Sequence, residues 1–143
     1  MKSNAGFGMI EVLVSLLVLA IGLLGLASLQ TTGLTQSAET RNRSQAILLA
    51  DDMFERIRAN RNSINSYAVA AAGTAPACDS TYKVSNSDVV ADDKAEWQNS
   101  LGCLLPDGNG AVLVNTGVAT VNITWSTNTG NSADGSVTME ARL

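Results

Sequence analysis

The sequence predicts an α+β protein: a long N-terminal α-helix, one half transmembrane and the other amphipathic, packed on a small antiparallel β-sheet head. Three observations carry that reading. Between Phe7 and Leu29 the only polar side chains are Glu11, Ser15 and Ser28. Behind that run, apolar residues recur at helical spacing as far as Ile57, and no proline interrupts residues 7–61. Further on, "TVNITWST" (Thr120–Thr127) alternates apolar and polar residues as a half-buried strand does. A chain of 143 residues holds one such domain.

The apolar run comes first. Its 23 residues rise about 35 Å as a helix, against a hydrocarbon core of about 30 Å. A cleaved secretory signal has an apolar core of about 7–15 residues and a small-x-small site behind it. This run is longer and no such site follows, so it reads as a retained anchor. Lys2 precedes it and Arg41 and Arg43 follow, so the positive-inside count does not orient it. The size of the C-terminal part and its cysteine pair place that part outside the cytoplasm.

Glu11 is the residue an anchor alone does not explain. An acid in mid-span costs a few kcal/mol, and less near an end, where it can snorkel to the headgroups. The other reading is that it meets a positive group buried beside it. No Lys or Arg lies between Lys2 and Arg41, so that group is not a side chain of the run. A free α-amino group, made by cutting the chain just ahead of Phe7, would serve.

From Thr31 the helix becomes amphipathic. Ala46, Ile47, Ala50, Met53, Phe54 and Ile57 share one face, while Arg43, Asp51, Asp52, Glu55 and Arg58 populate the rest. One helix of about 80 Å through residues 7–61 is the expectation. Residues 62–87, rich in Ala, Ser, Asn, Gly and Thr, read as a loop. "DDKAEWQNSLGC" reads as a short helix with Asp92 as N-cap, Gly102 at its end and Cys103 just past it. "PDGNG" (Pro106–Gly110) is turn chemistry. It also begins like a calcium loop, but Ala111 stands at the next ligand position and no Glu closes it. Strands are expected at Ala111–Asn115, Ala119–Thr127 and Ser136–Arg142, with "NTGNSADG" as the hairpin loop before the last.

Composition removes several kinds of chemistry. There is no histidine, which excludes Ser-His and Cys-His nucleophiles and most zinc sites. Cys78 and Cys103 lack redox or metal spacing. One disulfide is the natural reading if this part is exported, and two buried thiols if it is not. Asp51–Asp52 and Asp92–Asp93 are adjacent pairs whose side chains diverge on a helix, so they make poor acid/base partners. No phosphate-cradling glycine loop is present, and no catalytic residue, cofactor or metal is expected. A net charge of −4 without a basic-aromatic groove gives no reason to expect nucleic acid as a partner.

Gly6, Phe7 and Glu11, in "GFGMIEV", resemble the class III signal of the type IV prepilins. The resemblance implies a leader at 1–6, cleavage between Gly6 and Phe7 by a membrane prepilin peptidase, and N-methylation of Phe7. It implies that Glu11 neutralises a terminal amine in a growing filament. Gly8 departs from the Thr or Ser often found there, and the proline that many major pilins carry in this helix is missing. "SQAILLADDMFERIRANR" (Ser44–Arg61), with the apolar run, is similar to PilV-type minor pilins. The implied division is leader 1–6, filament-core helix 7–30, amphipathic helix 31–61 and head 62–143. The implied role is a non-enzymatic minor pilin that primes a type IV pilus near its tip, for surface attachment or twitching. Its partners would be other minor pilins, the major pilin, the inner-membrane assembly platform and a tip adhesin. The chain would first be a single-pass inner-membrane protein with a periplasmic head, and then part of an extracellular pilus. A pseudopilin of a type II secretion system shares the same signal and helix. An ordinary single-pass protein with a periplasmic binding module would leave Gly6, Phe7 and Glu11 as coincidence.

Overall fold

The computed structural model describes residues 8–127 and 135–143. The expected α+β architecture is present. Helix α1 (Met9–Ala59) is followed by a short 3-10 segment, Arg61–Tyr67, then helix α2 (Val89–Leu104) and strands β1 (Asn109–Asn115), β2 (Val118–Trp125) and β3 (Gly135–Arg142). The chain divides into two compact units, Met1–Ser37 and Ala38–Leu143. The second is the head, and it includes the C-terminal part of α1.

In the head the strands form an antiparallel meander in the order β1-β2-β3. In β2, Ala119, Val121, Ile123 and Trp125 are buried, alternating with partly exposed neighbours. They join Val112 and Val137 in one core cluster with α1 and with Trp97 and Leu101 of α2. The stripe of α1 differs from the expected one by one side chain. Leu49 is buried, whereas Ile47 is 37% exposed. With Ala46 and Ala50 at the centre of the buried arc, positions 47 and 49 flank it at about equal angles, and Trp97 of α2 packs on the flank of Leu49.

Glycine lets the two tryptophans approach the sheet. A Cβ on Gly110 would stand 2.5 Å from Cη2 of Trp97 and 2.7 Å from Cδ1 of Leu101. Gly135 bears on the Trp125 indole in the same way. The bulk that aromatic-poor composition withholds elsewhere is supplied here by two indoles, each with a hydrogen-bonded N–H. Trp97 Nε1 donates to the Leu49 carbonyl at 2.9 Å, and Trp125 Nε1 donates to Glu39 Oε2 at 3.2 Å.

Several expectations about α2 and its surroundings need correction. The N-cap is Asp88, not Asp92. Its carboxylate accepts from the Val90 and Ala91 amides, in extended backbone, so the helix starts one turn early. Asp92 instead points back and accepts from the Ser85 and Asn86 amides and the Ser85 hydroxyl. Those bonds to its charged form hold its carboxyl below the usual carboxylate range, the Ser85 hydroxyl first. Gly102 does not end the helix, which runs on to Leu104, so Cys103 lies inside the last turn. Gly102 is there because the Pro76 carbonyl packs on it. β1 begins at Asn109, two residues early, β2 begins at Val118 and ends at Trp125, and β3 begins at Gly135. The expected loop before β3 lies outside the described residues, except for its final Gly135.

The β1–β2 hairpin closes on two residues, since Asn115 pairs with Val118. Thr116 has φ 47° and Gly117 φ 79°, the paired positive values of a type I′ loop. Glycine adopts that conformation freely, but β-branched Thr116 does not. Thr116→Asn is therefore expected to stabilise the head by about 1 kcal/mol. The check is a higher urea midpoint at unchanged slope in the detergent-solubilised chain.

The segment between the 3-10 turn and α2 has almost no regular structure, and side chains tether it. Val69 and Val112 exchange backbone hydrogen bonds at 2.9 and 2.8 Å. The Asn109 amide takes the Ala72 N–H at 3.3 Å and donates to its carbonyl at 2.7 Å. Asn99 grips Asp79 likewise, at 2.7 and 3.0 Å. Beside that grip, Cys78 and Cys103 are joined by a disulfide with Cα atoms 4.6 Å apart. Closing a loop of 25 residues removes about 3–4 kcal/mol of entropy from the unfolded chain. A Cys78→Ser/Cys103→Ser variant is thus expected to lose about 3 kcal/mol of stability by urea unfolding. Reducing the native protein should reproduce the loss.

Candidate functional site

The first unit consists, among its described residues, of helix from Met9 onward. From Met9 to Leu29 its large aliphatic side chains are 48% to 86% exposed. Burying each one fully is worth about 1.5–3 kcal/mol, so the run favours a lipid or protein environment by tens of kcal/mol. By length and composition this stretch of α1 can cross a membrane. Gly22 and Gly25 have open space where a Cβ would stand, which leaves low points on the surface for another backbone to approach.

Glu11 stands in the first turn of this helix and is exposed. Its amide bonds the Gly8 carbonyl at 3.0 Å, and its own carbonyl accepts from the Ser15 hydroxyl at 2.6 Å. Glu11 and Ser15, two of the three polar side chains of the run, thus lie one turn apart. A carboxylate in the first turn also complements the positive end of the helix dipole. That effect is too small to answer the cost of carrying the charge into an apolar phase. Gly6 and Phe7, the expected cleavage and methylation positions, lie outside the described residues.

In the head, the acidic pairs that could suggest chemistry are taken apart. Asp52 receives Arg56 Nε at 2.9 Å, while Asp51 faces away, exposed. Asp92 holds the Ser85–Asn86 turn, while Asp93 accepts from Arg56 at 3.0 Å and from the Tyr67 hydroxyl at 2.6 Å. Glu96 completes the group at 2.7 Å from Arg56. Burial acts to lower the Arg56 pKa, but the hydrogen bonds that Arg56 donates to Glu96 and Asp52, with the charges of those carboxylates, outweigh it and raise the pKa, so the guanidinium stays charged. This constellation joins α1 to α2 and the 3-10 segment, and it is structural. Sequence reading missed it because Arg56 meets Asp93 and Glu96 across 37 and 40 residues.

Burial, followed by the bond to Asp93, pushes the Tyr67 phenol up to about 12. The folded value lies above the unfolded one, near 10. The stabilising contribution is therefore whole below about pH 10 and is lost as pH rises through about 12. Alkaline titration of tyrosinate absorbance is expected to show a late component that Tyr67→Phe removes, together with a matching loss of stability in that window.

Residues 28–96 match the family described as type IV pilin Tt1218 (Tt1218-like), and residues 1–27 match the prokaryotic N-terminal methylation motif. The two matched stretches meet end to end across the anchor, the whole of α1 and half of α2. No curated protein and no solved structure matches the chain.

Proposed function

We propose, from the matches to the type IV pilin and N-terminal methylation models, that the chain is a type IV pilin and acts as a minor pilin that primes a type IV pilus near its tip. One observation carries the proposal: Glu11 opens an apolar helix that nothing in the described chain covers. A prepilin peptidase cuts after Gly6, and Phe7 becomes the methylated N-terminus. The processed chain waits in the inner membrane with its head in the periplasm until the assembly platform moves it into the filament. The apolar surface of α1 then passes from lipid to neighbouring helices, and Glu11 meets a terminal amine. The head selects neighbours among the other minor pilins, the major pilin and a tip adhesin. The family's role is structural, and the dispersed acids of the head agree with that.

The test is a count of surface pili in a strain lacking the gene, with retraction disabled so that assembly alone is seen. Pili are expected to be scarce until the gene is restored. An unchanged number would overturn priming, and a defect in protein secretion instead would make the chain a pseudopilin of a type II system.

A further inference from the structure

Of the asparagines in the sequence, Asn109 alone is followed by glycine. Contacts hold both members of that pair. Position 110 is kept as glycine by Trp97, whose Cη2 would stand 2.5 Å from a Cβ there. Position 109 is kept as an amide by Ala72: Oδ1 accepts from the Ala72 N–H at 3.3 Å, and Nδ2 donates to the Ala72 carbonyl at 2.7 Å. Only a side chain with both a donor and an acceptor can do this. The Gly110 N–H also donates to Oδ1, at 2.8 Å. A nitrogen so close to Oδ1 stands near the neighbouring Cγ as well, at about the 3–3.5 Å from which positioned groups react. Having no side chain, Gly110 leaves that nitrogen open to approach. The Asn109 side chain is half-buried and Ala72 is exposed, so water reaches both.

We propose that Asn109 is a site of spontaneous deamidation in the folded head, with water as the co-reactant. The Gly110 nitrogen gives its proton to hydroxide and bonds to Cγ. The Ala72 N–H faces the negative charge that Oδ1 then takes up. The Cγ–Nδ2 bond breaks, and the nitrogen leaves as ammonia with a proton drawn from water. The cyclic imide left behind adds one water. Opening at Cγ gives aspartate at position 109, and opening at the backbone carbonyl carbon gives isoaspartate. Nothing is oxidised or reduced. Either product ends the grip on Ala72, because a carboxylate sets a second acceptor against the Ala72 carbonyl in place of the donor. Isoaspartate also inserts a backbone carbon opposite Thr124, at the first pair of the β1–β2 ladder. Asn99 makes the same two-bond grip, on Asp79, but the nitrogen that follows it belongs to Ser100, which carries a side chain and lies within α2. The product thus accumulates at one tether and spares the other.

The test incubates the full chain in detergent at neutral and mildly alkaline pH and follows the peptide that carries Asn109. That peptide is expected to gain one dalton and to become a substrate for isoaspartyl methyltransferase, faster as hydroxide rises. Asn109→Gln keeps the amide but must close a larger ring, and should slow the change about tenfold or more. Urea below the unfolding transition raises the unfolded fraction steeply, yet should alter the rate by less than about twofold. The aged fraction, separated by its added negative charge, should unfold at lower urea than the starting chain, and Asn109→Asp should do the same. An unchanged peptide would overturn the proposal, as would a rate that climbs with the unfolded fraction. So would methyl transfer without the added dalton, which marks Asp107–Gly108 instead, or a gain that persists in Asn109→Gln. Equal urea midpoints for aged and fresh chain would overturn the loss of the Ala72 grip.

Discussion

Glu11→Ala is expected to be cleaved at the usual place and then to fail, with the variant absent from filaments and unable to support priming. The reason lies in what the charge meets at each stage. In the membrane, Glu11 stands in the first turn of α1, close enough to an end to reach polar headgroups. In a bundle of helices that route to water is closed. If the chain is cut before Phe7 as proposed, the amine of Phe7 would then be the partner that matches it, because the run holds no cation of its own. Removing one member of a buried pair leaves the other uncompensated, at about 3–5 kcal/mol, a hundredfold or more in the equilibrium for entry. Membrane fractionation with N-terminal sequencing, followed by immunodetection in sheared pili, separates the two steps. Gly6→Ser provides the contrast, as it should stop at the precursor, six residues longer. If Glu11→Ala chains assembled normally, pairing with the amine would be dispensable here.

Trp97→Ala should be the most damaging change in the head. The indole is fully buried, donates to the Leu49 carbonyl and fills the space over Gly110. Truncation removes the apolar burial and leaves a cavity between α1, α2 and β1 that a glycine on the sheet side cannot fill. The expected loss is about 3–5 kcal/mol, a large share of the stability of a domain this size. Urea unfolding of the purified chain in detergent would measure it. Trp97→Phe should cost distinctly less, since it keeps most of the volume and gives up the hydrogen bond. A loss under 1 kcal/mol for Trp97→Ala would mean that the surrounding helices close the gap.

Where the fold could be read in advance, the signal was periodic. The stripe from Ala46 to Ile57 repeats with the helix, and Val121, Ile123 and Trp125 repeat with the strand, so both faces were visible in short windows. Where reading failed, the deciding interaction was an individual contact. Asp88 and Asp92 are both good caps by residue type, and only the Ser85–Asn86 turn shows which is occupied elsewhere. The tethers at Asn99 and Asn109 use ordinary polar residues to replace a backbone ladder. Gly110 resembles a turn residue until Trp97 is seen against it. The candidate site is the reverse case. Glu11 could be singled out from composition alone, because an acid in an apolar run is conspicuous without any contact.

The indole bonds of the head also carry a consequence in time. Leu49 waits 48 residues for Trp97, and Glu39 waits 86 for Trp125. The strand that supplies Trp125 is itself an interior strand, completed by β3, which follows it in the chain. During synthesis the whole of α1 therefore emerges with nothing to pack on, and the head closes only after β3 has left the ribosome. Contacts so distant in sequence make that closure slow compared with helix formation. Until then the stripe from Ala46 to Ile57 is as bare as the run before it, and for that interval the nascent chain depends on whatever shields both.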